Sequence, residues 1–284
     1  MSRKLKDNIQ LFFIYLSATL CVAALFFIIA FILKNGLSYI DWGFLSNLYS
    51  PSDPNSGILP MIIGTVWMVV LTLLIATPIS IFSAIYLNEY AKENKVTNLL
   101  RFAIDGLVSV PSIVYGLFGF SLFVTTLRSI THGYSILSGA LTLTIMILPI
   151  LIKTIEEALK TIPQDLREAS LAVGASKVQT IFRVILPSCM GNIISAIILG
   201  MGRIISESAP LLLTAGMVYY IPTGIFSSSR TLTTHLYYLA SEGIGDHAKS
   251  QAYATATVLI LIIIILNLIT RFVGKKLSKK VGKA

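Results

Sequence analysis

Arg203 and Glu207 are two ionisable residues whose position could support chemistry inside an apolar segment. They lie four residues apart, so on a helix both side chains face the same direction. A rise of 1.5 Å per residue from Cys189, where the segment begins, places Arg203 roughly 20 Å along it, near the centre of a hydrocarbon layer about 30 Å thick. An arginine at that depth costs at least about 2.5–3.5 kcal/mol unless it meets a partner or water. The pair therefore indicates a bundle interior or a polar pathway.

This pair allows two interpretations. A structural ion pair would pin the helix to its neighbours without meeting any ligand. Alternatively, the guanidinium would receive a passing anion, because its planar fork can hold a tetrahedral oxyanion through two hydrogen bonds. Both interpretations require helices that place the pair inside a membrane.

Composition indicates an integral membrane protein. Of the 284 residues, 55% are hydrophobic and only 12% are charged, and the mean hydropathy is +0.82, which is too apolar for a soluble domain. The net charge of +9 does not call for nucleic acid, because the basic residues lie at the ends of apolar runs. Cys21 and Cys189 lie in different environments and suggest no disulfide framework.

Six apolar runs reach the length of about 20 residues that a spanning helix needs. They cover residues 11–33, 61–87, 102–127, 135–155, 189–213 and 252–273, and we expect one transmembrane domain over 1–284. Most of the 22 Lys and Arg lie in the N-terminus, the second loop, the loop at 156–188 and the C-terminal tail. Since positive charge collects in the cytoplasm, both termini and the 156–188 loop are expected there.

The loop at 156–188 is predicted to form two short helices. Thr161 with Gln164 is a candidate capping pair for the first, and Ser176 with Gln179 for the second. Gly174 suits the stop between them, because glycine adopts a left-handed backbone without penalty. The apolar stripes are Leu166, Ala169, Ala172 and Val173 on the first helix and Val178, Ile181, Phe182 and Ile185 on the second.

One interpretation of this loop is an interfacial helix on lipid headgroups. Against it, basic residues alternate with Asp165, Glu168 and small side chains, a pattern that suits packing against protein. Glu168-Ala169-Ser170, then Gly174, then Val184-Ile185-Leu186-Pro187 resembles the EAA loop of ABC importer permeases, with Ser170 and Val184 as the two small departures.

The resemblance extends over most of the chain. PISIFSAIYLNEYA (78–91), SVPSIVYGLFGF (109–120), 148–177 and GRIISESAPLLLTAG (202–216) are similar to segments of PstA-type permeases of phosphate importers. The resemblance implies an all-α, type I ABC importer permease (MetI-like) fold with six transmembrane helices and a cytoplasmic coupling helix. It also implies a bacterial or archaeal plasma membrane and the import of inorganic phosphate.

Partners and residue roles follow from the same resemblance. It implies a PstC-type permease, two ATP-hydrolysing PstB-type subunits and a PstS-type phosphate-binding protein, with ATP and Mg²⁺ bound by the ATPase subunits and no cofactor bound by this chain. Arg203 and Glu207 would line the substrate pathway. Coupling to the ATPase would use Glu168, Ala169, Ser170, Gly174, Leu186 and Pro187.

Other functions stay open at this point. The chain could be a permease for sulfate or molybdate, or the PstC-like subunit of the same complex. An intramembrane enzyme would need His132, His235 and His247 with Asp246, but these lie in outer loops and are expected to be solvated, and no H-E-x-x-H, G-x-S-x-G or phosphate-loop motif is present. A scaffold or receptor would not require Arg203 at its depth. Pro78, Pro111 and Pro149 are expected to kink or interrupt their spans, and Ser112 and Tyr115 are candidates to line a channel.

Overall fold

A computed structural model describes residues 3–51, 53 and 56–281, and their side chains except those of 3–6, 270 and 273–281. The helices are α1 Arg3–Gly36, α2 Trp42–Ser46, α3 Leu59–Ile85, α4 Lys95–Val108, α5 Ser112–Gly119, α6 Arg128–Thr131, α7 Ile136–Lys160, α8 Gln164–Ala172, α9 Lys177–Thr180, α10 Leu186–Ser206, α11 Ala209–Thr214, α12 Leu232–Ser241 and α13 Gly245–Val281. A 3₁₀ turn at Leu37–Tyr39 and wider π-helical turns at Tyr86–Tyr90, Phe120–Thr126 and Ile181–Ile185 extend them.

Five helices within the described ranges are long and apolar enough to cross a membrane. They cover Asp7–Tyr39, Leu59–Tyr90, Ile136–Lys160, Lys177–Ser206 and Gly245–Ile269. The runs at 11–33 and 61–87 lie inside two of these helices, as expected, and the run at 135–155 matches a third that begins one residue later, at Ile136. The last run begins earlier than expected, at Gly245 rather than at residue 252. Pro78 and Pro149 lie inside continuous helices.

The run expected over 102–127 is bent at Pro111, which confirms the expectation that this proline would kink or interrupt its span. Lys95–Val108 and Ser112–Thr126 form a pair bent by 101°, and the fold has six spans if this pair counts as one. Pro111 explains the corner, because it lacks an N–H and disfavours a helical conformation at the residue before it. Tyr115 is buried and its hydroxyl donates to the Leu107 carbonyl at 2.8 Å. The Tyr115 side chain therefore braces this corner.

The run expected over 189–213 also contains a break. α10 ends at Ser206, Glu207 has an extended backbone, and α11 begins two residues further on with Pro210 in its first turn. Proline cannot donate the hydrogen bond that would continue α10. The break leaves Glu207 at a helix end, immediately beyond the Arg203 turn.

Three helices form the centre of the bundle. α3 and α7 run parallel, since Met68 packs near Ile136 in one buried cluster and Ala84 near Leu159 in another. α10 runs antiparallel to them, and the Lys160 end of α7, with α8 and α9, defines what we call the coupling-loop side. α13 runs toward that side along α10.

α1 lies apart from this centre. It packs on α13, where Gly36 approaches the Tyr253 carbonyl so closely that a Cβ at residue 36 would clash. No residue in the most apolar part of α1 is buried in the isolated chain. Cys21 on α1 is exposed and Cys189 on α10 is buried, and both are free thiols. The expected orientation also uses basic residues whose side chains the structure does not describe: Arg3, Lys4, Lys6, Lys275, Lys276, Lys279, Lys280 and Lys283.

A buried arginine anchors the segment that precedes α12. Arg230 donates to the Met217 carbonyl at 3.0 Å and lies 4.2 Å from the centre of the Tyr238 ring. His235, expected to be solvated, is instead fully buried beside Arg230. Burial, reinforced by the Arg230 charge, lowers the pKa of His235 to about 3, so this ring stays neutral and serves packing.

Candidate functional site

Arg203 and Glu207 form an ion pair at the end of α10. Arg203 Nη2 lies 3.3 Å from Glu207 Oε1, and 45% of the Arg203 side chain is exposed against 12% for Glu207. The expectation that both side chains face one direction is therefore confirmed. Thr233 on α12 donates to the Glu207 carbonyl at 2.9 Å. The Glu207 backbone is thus held by α12, while nearly half of the Arg203 side chain remains exposed.

The Arg203 side chain lines a groove of about 660 Å³ between α7, α10 and α13. Its lining is Ile147, Ile150, Ser195, Ile198, Leu199, Gly202, Arg203, Ser206, Asn267 and Arg271. Leu199, in the middle of the α10 face, is 65% exposed. An apolar side chain left so open inside a groove indicates that this face is completed from outside the chain.

Arg271 is a groove residue that sequence reasoning missed, because it was assigned to the basic C-terminal tail. Leu259, Ile263 and Leu266 of α13 pack against the cluster that holds Met201 and Ile205 of α10. Since α10 and α13 are antiparallel, Arg271 lies near the level of Ser195, roughly 12 Å from Arg203 toward the coupling-loop side. The available signal was its four-residue spacing from Asn267, which places both side chains on one helix face.

The loop between α7 and α10 contains the two predicted helices, α8 and α9. Gly174 between them has φ of 87°, as expected. The Ser176 capping box is confirmed, with Gln179 N donating to Ser176 Oγ at 3.2 Å and Ser176 N donating to Gln179 Oε1 at 2.8 Å. The Thr161 capping pair is wrong: Thr161 ends α7, and its hydroxyl donates to the Ala158 carbonyl at 2.7 Å. Pro163 precedes α8 and supplies no side-chain cap.

The predicted coupling residues divide into an exposed and an anchored group. Glu168, Ala169 and Gly174 are exposed, and no atom lies within 4 Å of the position a Gly174 Cβ would occupy. Ser170 is half-buried, and its hydroxyl pairs with Thr180 Oγ1 at 2.9 Å, which joins α8 to α9. Leu186 is buried in the bundle core. The half-buried Pro187 and Leu186 thus anchor the loop, while α8 faces outward.

The apolar stripes divide in the same way. Ile181 and Ile185 are buried in the core that α3, α7 and α10 share. The remaining large members of the two stripes are exposed: Leu166, Val173, Val178 and Phe182. Val173 is the most exposed of them at 85%. Exposed apolar side chains beside Glu168 form a surface suited to a protein partner.

The part of the chain that the structure describes contains no candidate metal site. No group of three His, Cys, Asp or Glu side chains there is arranged to hold a metal ion. His247 is instead hydrogen-bonded to the Tyr39 hydroxyl at 2.7 Å, and His132 stacks on Phe226.

Comparisons with known proteins agree with this architecture. Residues 76–283 match the family model of the binding-protein-dependent transport system inner membrane component. The probable ABC transporter permease protein YqgI of Bacillus subtilis is 33% identical over 294 residues, covering 99% of each chain. The phosphate transport system permease protein PstA of Pasteurella multocida is 30% identical, covering 98% of this chain and 97% of that protein.

Solved structures show the same fold. A bacterial ABC transporter involved in the import of the polysaccharide alginate aligns with a TM-score of 0.60 at 16% identity, covering 97% of this chain and 99% of that chain. The methionine ABC transporter MetNI, in an inward-facing conformation, aligns with a TM-score of 0.57 at 19% identity over 79% of this chain and 94% of that one. With the family match over most of its length and PstA relatives at full length, the chain belongs to the binding-protein-dependent transport system inner membrane components, as a PstA-type permease of an ABC importer.

Proposed function

We propose that this chain is the PstA-type permease of an ATP-driven importer of inorganic phosphate. The observation that carries the proposal is the half-exposed Arg203 guanidinium, paired with Glu207, in a groove that the chain leaves open. Relatives that bear the PstA name align over nearly the whole chain, which favours this position over a PstC-like one. No comparable observation favours sulfate or molybdate.

The groove would become a conduit when a PstC-type permease covers it. Arg203 would attract the anion through paired hydrogen bonds, and Glu207 would weaken that attraction so that the anion is released. Arg271 would meet the anion next, nearer the coupling-loop side. Both side chains act by position and charge, so transport through the groove needs no covalent step.

Permeases of ABC importers work with ATP-hydrolysing subunits and a substrate-binding subunit. Here we propose two PstB-type subunits, which bind ATP and Mg²⁺, and a PstS-type protein on the opposite side. The exposed residues Glu168 and Ala169, with the apolar surface beside them, would dock in the ATPase, and closure of the two ATPase subunits would move the coupling loops. This chain itself would catalyse no reaction and bind no cofactor.

The coupling-loop side would face the cytoplasm, with both termini of a single domain over 1–284. The concentration of Lys and Arg in the loops and tail supports this orientation. α1, exposed along its apolar length, would pack around the bundle of the partner permease and contact lipid.

Phosphate uptake in cells that lack this subunit tests the proposal. Restoring the chain should restore uptake of labelled phosphate. Uptake of labelled sulfate should stay unchanged, because the proposal gives this importer phosphate as its substrate. Restored sulfate or molybdate uptake without a change in phosphate uptake would replace the proposed substrate. If uptake of phosphate, sulfate and molybdate all stayed unchanged, the proposal of an oxyanion permease would be contradicted.

A further inference from the structure

The π-helical turn Tyr86–Tyr90, which we call the α3 end turn, receives a basic side chain from each of three other helices. Arg101 of α4 donates to the Leu87 carbonyl at 3.2 Å. Arg167 of α8 pairs with the Glu89 carboxylate, with Nη2 3.1 Å from Oε1. Lys177 of α9 donates to the Glu89 carbonyl and lies 4.5 Å from the centre of the Tyr90 ring.

A helix end of this kind attracts cations for a general reason. The last carbonyls of a helix have no intrahelical donor, and the helix dipole places partial negative charge there. Because these three cations come from separate helices, the α3 end turn joins α4, α8 and α9 to a spanning helix.

Arg167 makes the most extensive of these connections. Its Nη1 donates to the Ile162 carbonyl at 2.6 Å and its Nη2 to the Leu159 carbonyl at 3.0 Å, in addition to the Glu89 pair. The Arg167 side chain is 15% exposed and that of Glu89 is 8% exposed. One largely buried side chain therefore links α8 to the ends of both α3 and α7. Because its fork holds several acceptors in fixed directions, the link resists bending.

The link continues into the bundle. Arg101, which holds the α3 end turn, also pairs with Glu156 of α7 at 2.9 Å, and Lys160 pairs with the same carboxylate at 2.8 Å. α3 and α7 share buried clusters with α10, and Ile147 of α7 belongs to one of these clusters and also lines the groove. A displacement of α8 is thus connected through charged contacts to the helices that carry the groove.

We propose that the Arg167–Glu89 pair transmits movement of the coupling loop to the spanning helices, and that the α3 end turn is where this movement enters the membrane. This inference rests on the proposed function, because it assumes that an ATPase moves α8. Arg167 is a positioning residue: its side chain points into the permease, while Glu168 and Ala169 beside it face outward.

The test uses the whole complex, with its partner permease and ATPase subunits, in proteoliposomes without phosphate. The probe is Leu199→Cys in a Cys21→Ser background, labelled by a membrane-impermeant maleimide before and after trapping with ATP, Mg²⁺ and vanadate. Arg167→Met should keep the ATPase subunits and ATP hydrolysis, yet reduce the trapping-induced change in labelling about tenfold, a typical coupling between distant sites. Arg167→Lys should retain most of the change, because the charge remains.

Two further variants complete the design. Glu89→Gln keeps the shape of the side chain and should lose the labelling change as Arg167→Met does, even if Arg167→Met fails to fold. Asp105→Asn is the matched control: it breaks the exposed Lys153–Asp105 pair, 2.7 Å long, which joins α4 to α7 without touching the α3 end turn, and it should leave the change intact.

A full labelling change in both Arg167→Met and Glu89→Gln would overturn the proposal. Loss of the ATPase subunits from both would also overturn it, because Arg167 would then shape the docking surface instead of transmitting movement. A parent complex that shows the labelling change but imports no phosphate would contradict the proposed substrate alone and leave the transmission role supported.

Discussion

Replacing Arg203 with alanine is expected to abolish phosphate uptake while the complex still assembles. The change removes the guanidinium that lines the groove in the last turn of α10 and leaves the Glu207 carboxylate without its cation. Because the Arg203 side chain is 45% exposed, the expected loss comes from the missing contact with the anion. A hydrogen bond to a charged group contributes about 1.5–3 kcal/mol, which corresponds to at least about a tenfold loss. Uptake of labelled phosphate, with the amount of assembled complex measured in parallel, gives the result.

A double variant distinguishes the anion-receiving role of Arg203 from a purely structural ion pair. If the pair only pins the helix, removing both charges in Arg203→Ala, Glu207→Ala should recover much of the function, since no charge is left unpaired. If Arg203 receives phosphate, the double variant should stay inactive. Lys249→Ala, which breaks the exposed Lys249–Asp246 pair, should transport normally. Normal phosphate uptake in Arg203→Ala would contradict the anion-receiving role of Arg203.

Replacing Gly174 with valine is expected to uncouple ATP hydrolysis from transport or to prevent assembly with the ATPase. At φ of 87° a β-branched residue is strained by about 1–3 kcal/mol, so the turn between α8 and α9 would change its direction. The position is open in the isolated chain, so crowding within the permease is not the cause. The ratio of phosphate imported to ATP hydrolysed, together with the amount of bound ATPase, measures the effect.

Gly106→Ala is the matched control for this change. Gly106 is also exposed, and no atom lies within 4 Å of its Cβ position, but it lies inside α4 rather than in a left-handed turn. Alanine there should fold and transport as the parent does, since alanine favours a helix over glycine. A Gly174→Val complex with full uptake and an unchanged transport ratio would count against the coupling role of this turn.

Local patterns in the sequence were sufficient for much of the fold. The runs at 11–33, 61–87 and 135–155 could be predicted because hydrophobic length alone defines a spanning helix. The Ser176 capping box and the stop at Gly174 depend on residues within a few positions of each other, and both are present. The Arg203–Glu207 pair required only the four-residue helical spacing.

The remaining features depend on contacts between helices or at helix ends, which the pattern of one helix does not reveal. Pro111 was expected to kink or interrupt its span, and the chain bends there by 101°. The size of the angle, and the hydrogen bond from Tyr115 to Leu107 at this corner, could not be predicted from the proline alone. Thr161 was expected to cap the start of α8, but its hydroxyl donates to the Ala158 carbonyl at the end of α7. The position of Arg271 in the groove follows from the antiparallel packing of α13 on α10, which no local pattern reports.

Site-specific photo-crosslinking from residue 173 tests the central claim most directly. Val173 is 85% exposed at the end of α8, so a crosslinker there samples whatever the coupling loop touches in the membrane. Crosslinks to an ATP-hydrolysing subunit, altered in yield when the complex is trapped with ATP and vanadate, are the expected result. Crosslinks to lipid alone, in membranes that hold the full complex, would contradict the account.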